Sequence, residues 1–159
     1  MILHCNFEEL RALASAGETV VAAAEAASGG PVSAPAEGVA KVEMLLPRLT
    51  GDFSIETLED QRRVRHAVAV IVDDLHARLD QTIIDHNPAH EEAVALYFDY
   101  GHSRTVLYRL DQMGSEMEAI IDAAEVDVTY VTARGALKWA MRSRKNWRSL
   151  GCARCRICC

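Results

Sequence analysis

From Phe7 to Ala124 the apolar residues of this chain recur every three or four positions, a period that restricts it to helices hiding one face from water. The first stretch opens on Asn6, Phe7, Glu8 and Glu9. Asn6 can accept from the backbone N–H of Glu9 while the Glu9 side chain reaches back to the Asn6 amide, a capping box with Asn in place of Ser or Thr. Phe7, Leu10, Leu13, Ala14, Val20, Val21 and Ala24 follow at helical spacing, and Ser28-Gly29-Gly30-Pro31 ends the run. Gly17 in its middle costs about 1 kcal/mol relative to Ala. A second, shorter helix is expected from about Pro35 to Leu49, with Val39, Val42, Leu45, Leu46 and Leu49 on one stripe and Pro47 either kinking it or ending its regular part early.

Thr50-Gly51-Asp52 reads as a turn, after which Ser54 or Thr57 can cap a third helix running to about Asp85. Its stripe is Val64, Val68, Ile71, Leu75, Leu79 and Ile83. Asn87 is expected as the N-cap and Pro88 as the first residue of a fourth, longest helix, in which Gly101 is a candidate bend. There Val106, Leu110, Met113, Met117, Ile120 and Ala124 are spaced like a coiled-coil seam. So short a link between helices three and four makes them an antiparallel hairpin. The expected fold is therefore all-α: an antiparallel four-helix bundle on a long C-terminal helical hairpin, followed by a basic Cys-rich tail.

Composition agrees with this class. Half the residues are apolar and only 6% aromatic, which favours helix packing over an aromatic-rich sandwich, and 159 residues suffice for one core without staples. The longest apolar run in the body, Ala67 to Val72, is far short of a membrane span, and no Lys or Arg precedes the short apolar stretch at the N-terminus. A cytoplasmic protein with reduced cysteines is expected.

Charge divides the chain in two. Residues 1–127 hold nine basic and all 23 acidic residues, a net −14, whereas residues 128–159 hold eight basic residues and no acidic one, a net +8. The acidic body repels nucleic acid and anionic surfaces, so only the tail could recruit either.

Two places could carry metal chemistry. Asp73 and His76, and again Asp99 and His102, put a carboxylate and an imidazole three residues apart on a helix, and folding the hairpin near residue 87 sets the two pairs level. Ferritin-like bundles hold paired metals with a similar carboxylate-x-x-His arrangement, built on Glu and with further Glu ligands. Phase opposes the site: Asp99 and His102 lie within about 40° of the Val106 stripe, but Asp73 lies about 180° from Val64. The competing expectation is a solvated face for Asp73, Asp74 and Asp80, with Asp99 and His102 as a hydrogen-bonded polar pair beside the core in company with Glu92 and Tyr100. His86 and His90 flank the turn, and His4 beside Cys5 is a weak pair unless something distant joins them.

The second place is the tail. As a metal knuckle, Cys152, Cys155, Cys158 and Cys159 offer thiolates among arginines that lower their pKa values, and zinc is the ion they would suit best. As a basic arm, Arg134, Lys138, Arg142, Arg144, Lys145 and Arg148 with Trp139 and Trp147 could hold phosphates and stack on bases or enter a membrane interface. A solvated basic helix is the plainer expectation. The abrupt change of composition also fits a segment foreign to the fold, such as an altered reading frame would append.

No catalytic signature is present: no G-x-S-x-G, no H-E-x-x-H, no P-loop and no G-x-G-x-x-G. Ser103 beside His102 is no dyad, because a helix points neighbours apart. The expected function is accordingly protein–protein association, with self-association into a homo-oligomer, no enzymatic activity and no resident cofactor. Tyr97, Phe98, Tyr100 and Tyr108, all off the main stripe, imply a second contact face. The alternative is a metal-binding or redox protein using the terminal cysteines or the Asp/His pairs.

Overall fold

The computed structural model describes residues 1–27 and 36–149, and of residue 53 and residues 125–149 the backbone only. The chain is mostly helical and belongs to the all-α class. In order it forms β1 (Ile2–Leu3), α1 (Phe7–Ala26), α2 (Ala36–Leu45), a 3-10 turn (Leu46–Arg48), β2 (Phe53–Ser54), α3 (Leu58–Asp85) and α4 (Glu91–Ser149). Two compact units divide it, Met1–Met117 and Glu118–Cys159.

Local chemistry starts and stops the helices of the first unit. The Asn6 Oδ1 accepts from the Glu9 N–H at 2.9 Å and Glu9 Oε2 accepts from the Asn6 N–H at 2.9 Å, so the capping box at the start of α1 is complete. Thr57, not Ser54, caps α3, its hydroxyl accepting from the Asp60 N–H at 3.0 Å. Pro47 lacks the N–H that a continued α2 needs, and the helix gives way to the 3-10 turn one residue before it. The fourth helix starts later than Asn87 and Pro88 suggest. Asn87 Oδ1 accepts from the Ala89 N–H at 2.9 Å and its carbonyl from His90, so both groups close a separate turn, and α4 begins at Glu91.

One core joins the elements of this unit. Leu13 and Val20 of α1, Val42 and Leu45 of α2, Val64, Val68, Ile71 and Leu75 of α3, and Leu96, Val106 and Leu110 of α4 are all buried in it. Each such side chain is worth about 1.5–3 kcal/mol of burial, so the stripes carry the fold. Helices α3 and α4 are antiparallel: near one end Gln61 donates from Nε2 to the Leu110 carbonyl at 2.6 Å, and further along the His76 ring lies 5.4 Å from that of Tyr100. Two glycines set the spacing. A Cβ on Gly17 would stand 2.9 Å from Leu46 Cδ2, and one on Gly114 would stand 2.7 Å from Gln61 Nε2. Gly17 is thus a close approach between α1 and the segment after α2, more than a weak point in a helix.

The stripes are shorter in the structure than in the sequence. Phe7 and Ile83, both on expected core stripes, are exposed, Phe7 because it lies on nearly the opposite face of α1 from the buried Ala12, Leu13, Ala16 and Val20. Within the second unit Ile120 and Ala124 are exposed as well. Periodicity identifies a face but not how far the covering helix extends: Met1 lies at Ile55 and Gly17 at Ile71, so α1 runs parallel to α3 and ends at Ala26, about level with residue 80. Sequence periodicity also gave no strand. Ile2 pairs with Ser54 and Leu3 with Phe53 in an antiparallel ladder that the Met1 ammonium extends by donating to the Ile55 carbonyl at 2.8 Å.

In the second unit the backbone of α4 is helical to Ser149. The stretch from residue 118 to 149 contains no proline and a single glycine, Gly135, so nothing in it stops a helix. No helix among the described residues is long and apolar enough to cross a membrane.

Candidate functional site

Helix α4 carries two stripes within the first unit. Ala93, Leu96, Ser103, Val106, Leu110 and Met113 turn inward and are buried. About half a turn away, Val94, Tyr97, Phe98 and Tyr108 remain 42%, 64%, 59% and 62% exposed. Gly101 lies at the middle of that outer stripe, and a Cβ there would meet nothing within 4 Å. The helix is continuous through this glycine. A hollow of about 420 Å³ runs along the helix surface at this glycine, bordered by Tyr97, Phe98, Tyr100, His102, Arg104 and Thr105.

The borders of the hollow are fixed by their neighbours. Tyr97 and Phe98 meet edge to face at 6.2 Å. Arg104 lies over the Tyr100 ring at 5.8 Å and donates to its hydroxyl at 3.4 Å. Of the four aromatics placed off the core stripe by their spacing, Tyr100 is partly buried against the core and the other three face water.

The hairpin brings the two Asp/His levels together, as the contact of His76 with Tyr100 shows, yet their carboxylates face other partners. Asp99 Oδ1 accepts from Arg11 Nη2 at 3.1 Å, and Arg11 also binds Glu8, so two carboxylates hold its pKa above the ordinary value, Glu8 most strongly. Asp73 is exposed, Asp74 lies 3.6 Å from Arg78, and His76 is 3.7 Å from Asp80. His102 is half-buried, and the fully buried Ser103 beside it points to the core. Among the described residues no three His, Cys, Asp or Glu side chains converge as a metal site. Cys152, Cys155, Cys158 and Cys159 lie outside the described residues, and the basic and Trp side chains of 134–148 lie outside the described side chains.

A polar cluster that sequence spacing did not reveal sits at the strand pair. Asp52 joins His4 and Cys5: its Oδ2 is 2.7 Å from His4 Nδ1 and its Oδ1 accepts from the Cys5 N–H at 2.9 Å. The His4 contact, and then the Cys5 amide, hold the Asp52 carboxyl below its usual range. Arg109 of α4 pairs with Glu9 at 2.5 Å and donates to the His4 carbonyl. Glu9 is buried, so one carboxylate both completes the capping box and ties α1 to α4. Burial pushes the Cys5 thiol up to about 11, against the opposing pull of Arg109. At neutral pH it is a protonated thiol, neither nucleophile nor ready ligand. The residues are 47 or more positions apart in several of these pairs, which leaves no local pattern to read.

No protein-family model, curated protein or solved structure matches this chain.

Proposed function

We propose that this chain is a non-enzymatic helical scaffold acting by protein–protein association, with an antiparallel four-helix bundle as its body and a second copy of itself as its partner. The outer face of α4 is the observation that carries this reading. Tyr97, Phe98 and Tyr108 alone leave roughly 350 Å² of side-chain surface in water, within the range of the largest apolar patch on a soluble protein, which is often functional. The face has no acidic side chain between Val94 and Tyr108 apart from Asp99, which turns away to Arg11. Two bodies of strong negative charge can therefore meet there without placing like charges in contact. Support for the bundle comes from the core shared by the four helices and from the α3–α4 register. A reducing cytoplasm suits Cys5, a free thiol kept protonated by burial.

The test compares the full chain with a Tyr97→Ser, Phe98→Ser variant by light scattering and circular dichroism. The expected result is a mass above that of one chain for the wild type, lost in the variant with helix content unchanged. A wild type that stays monomeric at every concentration overturns the reading.

A further inference from the structure

The spacing of the outer face about Gly101 specifies how a second copy would sit, an inference that rests on the self-association proposed above. Val94, Tyr97, Phe98, Arg104, Thr105 and Tyr108 stand at seven, four and three positions on either side of Gly101. Reversing the direction of such a helix about a twofold axis through Gly101 exchanges the two halves. Val94 then meets Tyr108 of the second copy, while Tyr97 and Arg104, which share one side of the Gly101 line, meet across the twofold, as Phe98 and Thr105 do on the other side. Large side chains face small ones, and the cation faces a ring. Arg104 already lies over one aromatic face within its own chain, so its guanidinium is held at the border of the hollow where a second ring would arrive.

We infer that two copies of this chain pack antiparallel through α4, crossing at Gly101. A glycine at the crossing point permits the short end of the usual 8–10 Å helix separation, and here the space above it is open. Val94, Tyr97, Phe98 and Tyr108 from both copies would bury roughly 800 Å² in total, and Gly101, Arg104 and Thr105 bring the contact to about the 1,000 Å² that a specific interface clears. An interface at this lower limit is of the size seen in weak, transient encounters, so the expected pair is a reversible dimer, tested across the micromolar range.

The test uses the full chain and three cysteine variants under mild oxidation, with linked peptides identified by mass spectrometry so that native cysteines do not confuse the result. Gly101→Cys chains are expected to link to one another through residue 101, where the twofold brings the two Cα atoms within disulfide reach. Val94→Cys chains should not link to themselves, yet should link to Tyr108→Cys chains. Gly101→Gln, a substitution at an open helical position that leaves the fold intact, should weaken dimerisation about tenfold or more. Self-linking of Val94→Cys indicates a parallel pair and overturns the geometry. A wild-type dimer whose affinity Gly101→Gln leaves unchanged, with no 101–101 link, overturns this face while leaving self-association standing. A wild-type monomer overturns both.

Discussion

The strand-pair end of the first unit and the outer face of α4 look opposite in sequence and prove opposite in structure. His4, Cys5, Glu9, Asp52 and Arg109 gather the side chains from which active sites are made, whereas the outer face offers aromatic rings, a glycine, a threonine and one arginine. At the strand pair each carboxylate has a partner and the thiol is shifted away from reactivity. Those groups are occupied in holding the N-terminal segment to α4. The outer face has little polar chemistry but leaves its rings in water. The matching at the strand pair is incomplete at one atom, the buried Arg109 Nε, which has no hydrogen-bond partner among the described residues, whereas the outer face leaves apolar area in water.

Substitutions that separate structure from association sharpen this contrast, beginning with the largest effect. Glu9→Ala leaves Arg109 without its carboxylate and opens the capping box, so urea unfolding should show a loss of about 2–4 kcal/mol. A loss under 0.5 kcal/mol would break the assignment of this cluster to stability. Gly114→Ala pushes a Cβ to 2.7 Å from Gln61 Nε2, and crowding exceeds the helix-propensity gain of about 1 kcal/mol, for a net loss of about 1–2 kcal/mol. Should Gly114→Ala stabilise the protein, the close approach of α3 and α4 at Gln61 is wrong.

Tyr97→Ser and Phe98→Ser should change the stability of the single chain by less than about 0.5 kcal/mol each, because these rings touch little of the core. Large destabilisation from either would move the outer face into the same category as the strand pair. The smallest effect concerns pH. The folded Cys5 thiol titrates near 11 in place of the ordinary 9.0, so below pH 9 it is protonated in both states and contributes no pH dependence. Between pH 9 and 11 the unfolded chain loses this proton first, and stability falls. Cys5→Ala should flatten that part of a pH–stability curve measured by urea denaturation; an unchanged slope would mean that Cys5 is not buried as described.

What sequence reading found depended on the distance between partners. The Asn6–Glu9 box, the Thr57 cap and the stop at Pro47 are decided within three or four residues, and the Val64 to Leu79 stripe by a repeating local period. The hairpin register followed from the short link around Asn87. Asp52 and its two partners, Glu9 with Arg109, and the two-residue strands carry no period at all. Ile83 shows the other limit, a side chain on the correct stripe beyond the end of its cover, and Phe7 shows a different one: it lies on nearly the opposite face of α1 from the buried Ala12, Leu13, Ala16 and Val20. Gly17 shows that a residue with an evident helical cost can be held by a contact no local pattern displays. The outer aromatics were legible as off-stripe positions, but the open space at Gly101 between them was not.

Molar mass as a function of concentration, measured on the full chain by sedimentation equilibrium, addresses the role of the α4 face most directly. Association through that face requires the mass to rise from the 17.5 kDa of one chain towards twice that value across the micromolar range. A mass fixed at 17.5 kDa up to about millimolar concentration would contradict it.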